Sequence, residues 1–122
     1  MEKYIEVMKK SLELSETILE GLRYIQKLLS EGKSEQSVFM FEEVLQAYAT
    51  IERNIEPVVN ELNNESISAK QAEFSHTANL VVTAYEEKNY AKVKEIIQFT
   101  LVPRYKRLKE ELELAFNPFI VS

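Results

Sequence analysis

An all-α fold, an up-and-down four-helix bundle with kinked helices 2 and 4, is what this sequence predicts, and three observations carry it. Apolar residues recur at steps of three and four through four long stretches, the period of one face of an α-helix. Only two Gly and three Pro punctuate 122 residues of which 45% are hydrophobic, so the turn chemistry that a β-rich chain needs is missing. Polar breaks of a few residues join the stretches, and short connections of this kind set consecutive helices antiparallel. A chain of this length supports one core, so residues 1–122 are expected to form a single domain.

Helix 1 is expected over residues 2–31. Ile5, Met8, Leu12, Leu19 and Leu22 trace its inner face. Val7, Leu14, Ile18, Ile25 and Leu29 widen that face to an arc of roughly 160°, more than one neighbouring helix covers. Gly32 is placed to end the helix in the left-handed conformation, with Ser34 as N-cap of the next. Helix 2, residues 35–63, turns Phe41, Leu45, Tyr48, Ile55, Val59 and Leu62 inward, flanked by Val38, Val44 and Ile51. Pro57 removes the hydrogen bond to the Arg53 carbonyl, so a kink or a break is expected there. Asn63, Asn64, Glu65 and Ser66 read as a loop.

Helix 3 is expected over residues 68–88, opened by a capping box between Ser68 and Gln71. Phe74, Ala78, Val81, Val82 and Tyr85 make its core face. A second face of small and weakly polar residues lies opposite, comprising Ala69, Ala72, His76, Leu80, Thr83 and Ala84. Such a helix is either central or part of a subunit interface. Helix 4 is expected over residues 89–116, with Tyr90, Val93, Ile97, Leu101, Leu108, Leu112 and Ala115 inward. Pro103 interrupts it, Asn117-Pro118 stops it, and Phe119, Ile120 and Val121 form an apolar tail.

Composition removes several function classes. With no cysteine there is no disulfide framework, thiolate metal site or thiol nucleophile, which fits a reducing cytoplasm. The first residues enter a charged amphipathic pattern at once, so no signal peptide is expected, and no apolar run approaches the ~18 residues of a membrane span. A formal net charge of -5 argues against nucleic-acid binding. The one basic cluster, Arg104, Lys106, Arg107 and Lys109, is answered by Glu110, Glu111 and Glu113 one turn further along the same helix.

Few residues point to chemistry. Glu73 and His76 have the Glu-x-x-His spacing of di-iron bundles, but those sites need two such units and two further carboxylates, and this chain has one histidine. The same His76 is the centre of an alternative reading, a histidine phosphotransfer or phosphatase-like signalling bundle. The residues after it, Thr77-Ala78-Asn79-Leu80, lack the Lys-Gly of phosphotransfer domains. Gly21 and Gly32 stand alone, so no glycine-rich loop cradles a phosphate. Asn117-Pro118-Phe119 matches a tripeptide read by peptide-binding modules, but is more simply a helix stop. No catalytic residue, metal ligand set or cofactor is expected.

Surfaces say more. Phe99 and Val102 on helix 4 and Phe39 on helix 2 project away from their inward faces. With the second face of helix 3 and the tail, they exceed what a small bundle leaves wet. Ala69, Ala72, His76, Leu80, Ala84, Phe99, Val102, Phe119 and Ile120 are therefore the candidate interface. The expected partners are a second copy of the chain and a helix of another protein in an apolar groove.

The pattern Tyr85-x3-Asn89-Tyr90-x2-Val93-x2-Ile96-Ile97-x3-Leu101-x-Pro103-x4-Leu108-x3-Leu112 resembles the C-terminal half of small uncharacterised all-helical proteins of Bacillus-like Gram-positive bacteria. The resemblance implies a bacterial source and a domain of unknown function, and it implies no activity. In size and helix content the chain is also similar to flagellar export chaperones. The function expected is a non-enzymatic, adaptor-like or chaperone-like helical bundle.

Overall fold

A computed structural model describes residues 1–120, and over them the chain is a four-helix bundle without strands. After a short 3-10 turn at Glu2–Tyr4, α1 spans Ile5–Ser30, α2 spans Ser34–Leu62 and α3 spans Glu65–Glu86. The fourth helix is made of α4 (Tyr90–Ile96), a π turn (Ile97–Leu101) and α5 (Val102–Ile120). Cross-helix contacts give the up-and-down order. Gly21 meets Val44, Phe41 and Tyr48 meet Tyr85 and Phe74, and Arg104 meets Thr77, each pair running antiparallel.

One device closes all three connections. Gly32, Asn63 and Lys88 adopt the left-handed conformation, with φ of 75°, 54° and 55°. Each is followed by a residue whose N–H reaches back to a carbonyl of the finished helix: Lys33 to Leu28, Asn64 to Val59 and Asn89 to Ala84. At the second and third connections the side chain of that same residue also caps the next helix. Asn64 Oδ1 accepts from Ile67 N at 3.0 Å and Asn89 Oδ1 from Lys92 N at 3.2 Å. Two or three residues thus suffice for each reversal. The expected capping box at Ser68 is displaced for this reason, since α3 starts at Glu65 under an Asn64 cap. Ser34 is likewise not an N-cap but the first residue of α2, behind Lys33. Lys88 carries a Cβ in a conformation that favours glycine. Lys88→Gly should raise the unfolding free energy by about 0.5–1 kcal/mol, read by urea titration.

The prolines are absorbed without a break. α2 runs through Pro57, and both Pro57 and Arg53, whose carbonyl loses its donor, lie on the exposed face where water can replace it. The fourth helix likewise passes Pro118 and continues to Ile120, where Asn117-Pro118 was expected to stop it. Leu114, the carbonyl affected, is 72% exposed, and Ile120 is anchored against the core. Val121 of the expected tail lies outside the described residues. Pro103 acts differently. It has no N–H for the Phe99 carbonyl, and the chain widens just before it, with Val102 N donating to the Ile97 carbonyl five residues back. The extra residue in that turn re-phases the helix. Its inner face passes from Val93, Ile97 and Leu101 to Val102, Tyr105, Leu108 and Leu112, all buried.

The core on α1 follows a strict three-and-four step through Met8, Ser11, Ser15, Ile18, Leu22, Ile25 and Leu29, all buried. Leu12, expected inward, is only half-buried. Large aromatic rings fill the space between α2 and α3, where Phe41 meets Tyr85 at 5.7 Å and Tyr48 meets Phe74 at 4.4 Å between ring centroids. Phe74 also meets Tyr105 of α5 at 5.4 Å, so it ties three helices together.

Candidate protein-interaction surface

Buried polar groups settle where α3 and the fourth helix sit. Tyr105 donates from its hydroxyl to the Ser15 carbonyl at 2.7 Å, in the interior, while Ser15 Oγ donates to the Leu12 carbonyl. Arg104 reaches across to α3 and donates to Thr77 Oγ1 at 2.6 Å. Thr77 is itself buried and donates to the Glu73 carbonyl. Lys70 pairs with Glu111 at 3.5 Å further along the same two helices. The two contacts lie seven residues apart on each helix, in opposite directions along the chain, and so share one antiparallel register. In that register Leu80 stands level with Leu101 and within about one helical turn of Phe99.

The outer face of α3 is therefore presented as follows. Ala69, Ala72 and His76 are exposed, and Leu80 is 45% exposed. Phe99, on the π turn next door, is 69% exposed. Phe119 is exposed, and Ile120 is half-buried against the core. Two residues expected on this surface are in the interior instead. Ala84 is buried because it lies on the flank of α3 over which α4 packs, seven residues from buried Thr77 on the same side. Val102 is buried because the π turn rotates it inward. The surface that remains is narrower than the sequence pattern suggested and runs along α3 to the π turn.

His76 and Glu73 are both exposed on α3. Among the described residues, no group of three or more His, Asp or Glu is arranged to hold a metal ion. The basic cluster is dispersed. Arg104 serves Thr77, and Lys109 lies between Glu16 at 2.9 Å and Glu113 at 2.8 Å. The Lys109 ammonium holds the Glu16 carboxyl below its ordinary range, and Glu113 and Glu16 together raise the pKa of Lys109. Glu111 answers Lys70 of α3 instead of Arg107 one turn away.

Tyrosine and serine hydroxyls find partners within the bundle. Besides the contact of Tyr105 with the Ser15 backbone, Tyr85 shares a hydrogen bond with buried Ser37 at 2.8 Å. Tyr48 differs. Among the described residues its hydroxyl is the buried side-chain atom without a hydrogen-bond partner, although Glu52 and Ser75 lie near it. Burial raises its pKa, and the Glu52 carboxylate adds to the effect, so the hydroxyl stays protonated at any physiological pH. An unpartnered buried hydroxyl destabilises by about 1–3 kcal/mol relative to its absence. Tyr48→Phe should leave the unfolding free energy unchanged or raise it by about 1 kcal/mol, whereas Tyr105→Phe should lower it by about 1 kcal/mol, both read by urea titration.

Sequence reasoning missed a second surface, the groove between α1 and α2. Tyr24 is 46% exposed there, and Gly21 lets the two helices approach so closely that a methyl group on it would lie 2.9 Å from Val44 Cγ2. The available signal was a glycine inside an otherwise regular helix, which marks close backbone approach. No helix is long and apolar enough to cross a membrane among the described residues. No curated protein and no solved structure matches the chain. Residues 6–111 match the family described as a domain of unknown function, DUF8042, and the chain belongs to that family.

Proposed function

We propose that this protein is a non-enzymatic interaction protein, an adaptor-like or chaperone-like helical bundle that pairs with a second copy of itself through the outer face of α3. The observation that carries the proposal is the exposure of Leu80 and Phe99 within about one helical turn of each other on adjacent helices, with Ala69 and Ala72 leaving room for a facing helix. Small residues at three- and four-residue steps let a partner backbone come close, and a twofold axis through the strip buries it isologously. The resemblance of the C-terminal half to proteins of Bacillus-like Gram-positive bacteria supports a bacterial source. The absence of cysteine supports a cytoplasmic location.

Sedimentation of the parent and of Leu80→Glu at micromolar concentration tests the pairing. The parent is expected to run at twice the 14.2 kDa chain mass and the variant as a monomer of unchanged helicity. A monomeric parent rules the α3 interface out, and a dimeric variant places it elsewhere. Incubation with a labelled phosphodonor separates the phosphotransfer alternative, in which label enters the parent and not His76→Gln. The interaction reading expects no histidine-dependent label in either.

A further inference from the structure

The groove between α1 and α2 lies outside the proposed α3 pairing. Gly21, Tyr24, Met40 and Ala47 are among its lining residues, and it is an open depression of about 410 Å³. Phe39 stands 68% exposed one residue from Met40. Towards the other end of the same helix pair, Val7, Lys10, Leu14 and Ile51 frame a smaller recess of about 90 Å³. From Val7 to Tyr24 is 17 residues, roughly 25 Å of helix, so the two depressions together offer the length of a docked helix of about five turns.

Charge selects the occupant. Glu20 and Glu43 line the groove from its two sides, and Glu6 and Glu13 continue the α1 edge at seven-residue spacing. Among the described residues Glu13, Glu20 and Glu43 form no salt bridge, and Glu6 has only Lys9 at 3.9 Å. Against them stand Lys10 in the smaller recess, Lys9 beside Glu6, and Arg23 one turn from Glu20. A second copy packed on this groove would bring the same carboxylates together as water left, and an anionic lipid surface would be repelled by them. A helix with basic flanks would meet all three free carboxylates while its apolar face entered the groove.

We propose that the α1/α2 groove is the docking site for one amphipathic helix of a basic partner protein, whose apolar face seats on Gly21, Tyr24, Met40 and Ala47 and whose Lys and Arg flanks face Glu13, Glu20 and Glu43. The proposal rests on the reading of the chain as an interaction protein, but not on the α3 dimer.

The probe is a labelled synthetic peptide of about 18 residues, with Leu at i, i+3, i+4 and i+7 on an Ala background and Lys at the flanking positions. A scrambled peptide of the same composition and a version with Glu for Lys are the controls. Fluorescence anisotropy should show the patterned Lys peptide binding at least about tenfold tighter than the scrambled one, with affinity falling as salt rises. Glu20→Lys/Glu43→Lys should weaken it by at least about tenfold and admit the Glu peptide, while Leu80→Glu should bind like the parent. Amide shifts should move in residues 17–24 and 40–47. Equal binding of the scrambled peptide overturns the proposal, as do indifference to the charge reversal and shifts confined to α3. A dimer abolished by the charge reversal also overturns it, since the groove would then belong to a second copy. A monomeric parent that still binds the patterned peptide removes the α3 pairing and leaves the groove standing.

Discussion

Phe74→Ala should lower the unfolding free energy by about 3–5 kcal/mol, the range for a truncated core aromatic, and so remove a large part of a typical small domain's stability. Phe74 is fully buried and stacks within 4.4 Å of Tyr48 on α2 and 5.4 Å of Tyr105 on α5, between ring centroids. The cavity would open where α2 and α3 are held apart by rings, and rings held on three different helices cannot collapse into it without moving a backbone. Urea or thermal unfolding followed by far-ultraviolet circular dichroism measures the loss. Phe74→Leu should lose distinctly less, since most of the volume remains. A loss below about 1 kcal/mol for the alanine variant would mean that the three helices close over the gap, and that the rings fill the interface without bracing it.

Ser15→Leu should destabilise by about 2–4 kcal/mol, although the sequence pattern alone argues for a gain. Position 15 falls in the buried three-and-four step of α1, where leucine would extend the apolar stripe. In the folded chain Ser15 is fully buried and the Tyr105 hydroxyl bonds its carbonyl at 2.7 Å. That contact requires the tyrosine ring to lie close against the α1 backbone, in space a leucine side chain would claim. The variant is then overpacked, and the leucine pushes the Tyr105 ring aside and draws its hydroxyl off the residue 15 carbonyl, which itself remains. Ser15→Ala should be nearly neutral, because the backbone carbonyl remains. Urea midpoints of the two variants decide the matter. A leucine variant as stable as the parent would show that Tyr105 can turn away at little cost, and that its bond to the residue 15 carbonyl adds little to the joining of α1 and α5.

Amino-acid pattern alone determined the helical class, the number of helices, the Gly32 turn and most of the core. These depend on local backbone preference and on a period of 3.6 residues, and both are properties of neighbouring residues along the chain. Pattern also placed Ala69, Ala72, His76, Leu80 and Phe99 on outward faces, because an exposed face is the complement of a buried one. Tertiary structure decided what depends on residues distant in sequence. Ser11 and Ser15 are core residues because Tyr105 and its neighbours cover them, and nothing polar in their identity announces that. Val102 is buried because Pro103 is absorbed by a π turn, which moves every later residue by one position around the helix. Asn64 displaced the expected cap at Ser68 because a left-handed Asn63 had already turned the chain. The α1/α2 groove exists because Gly21 lets two helices meet closely, a relation between α1 and α2 that no single helical pattern contains.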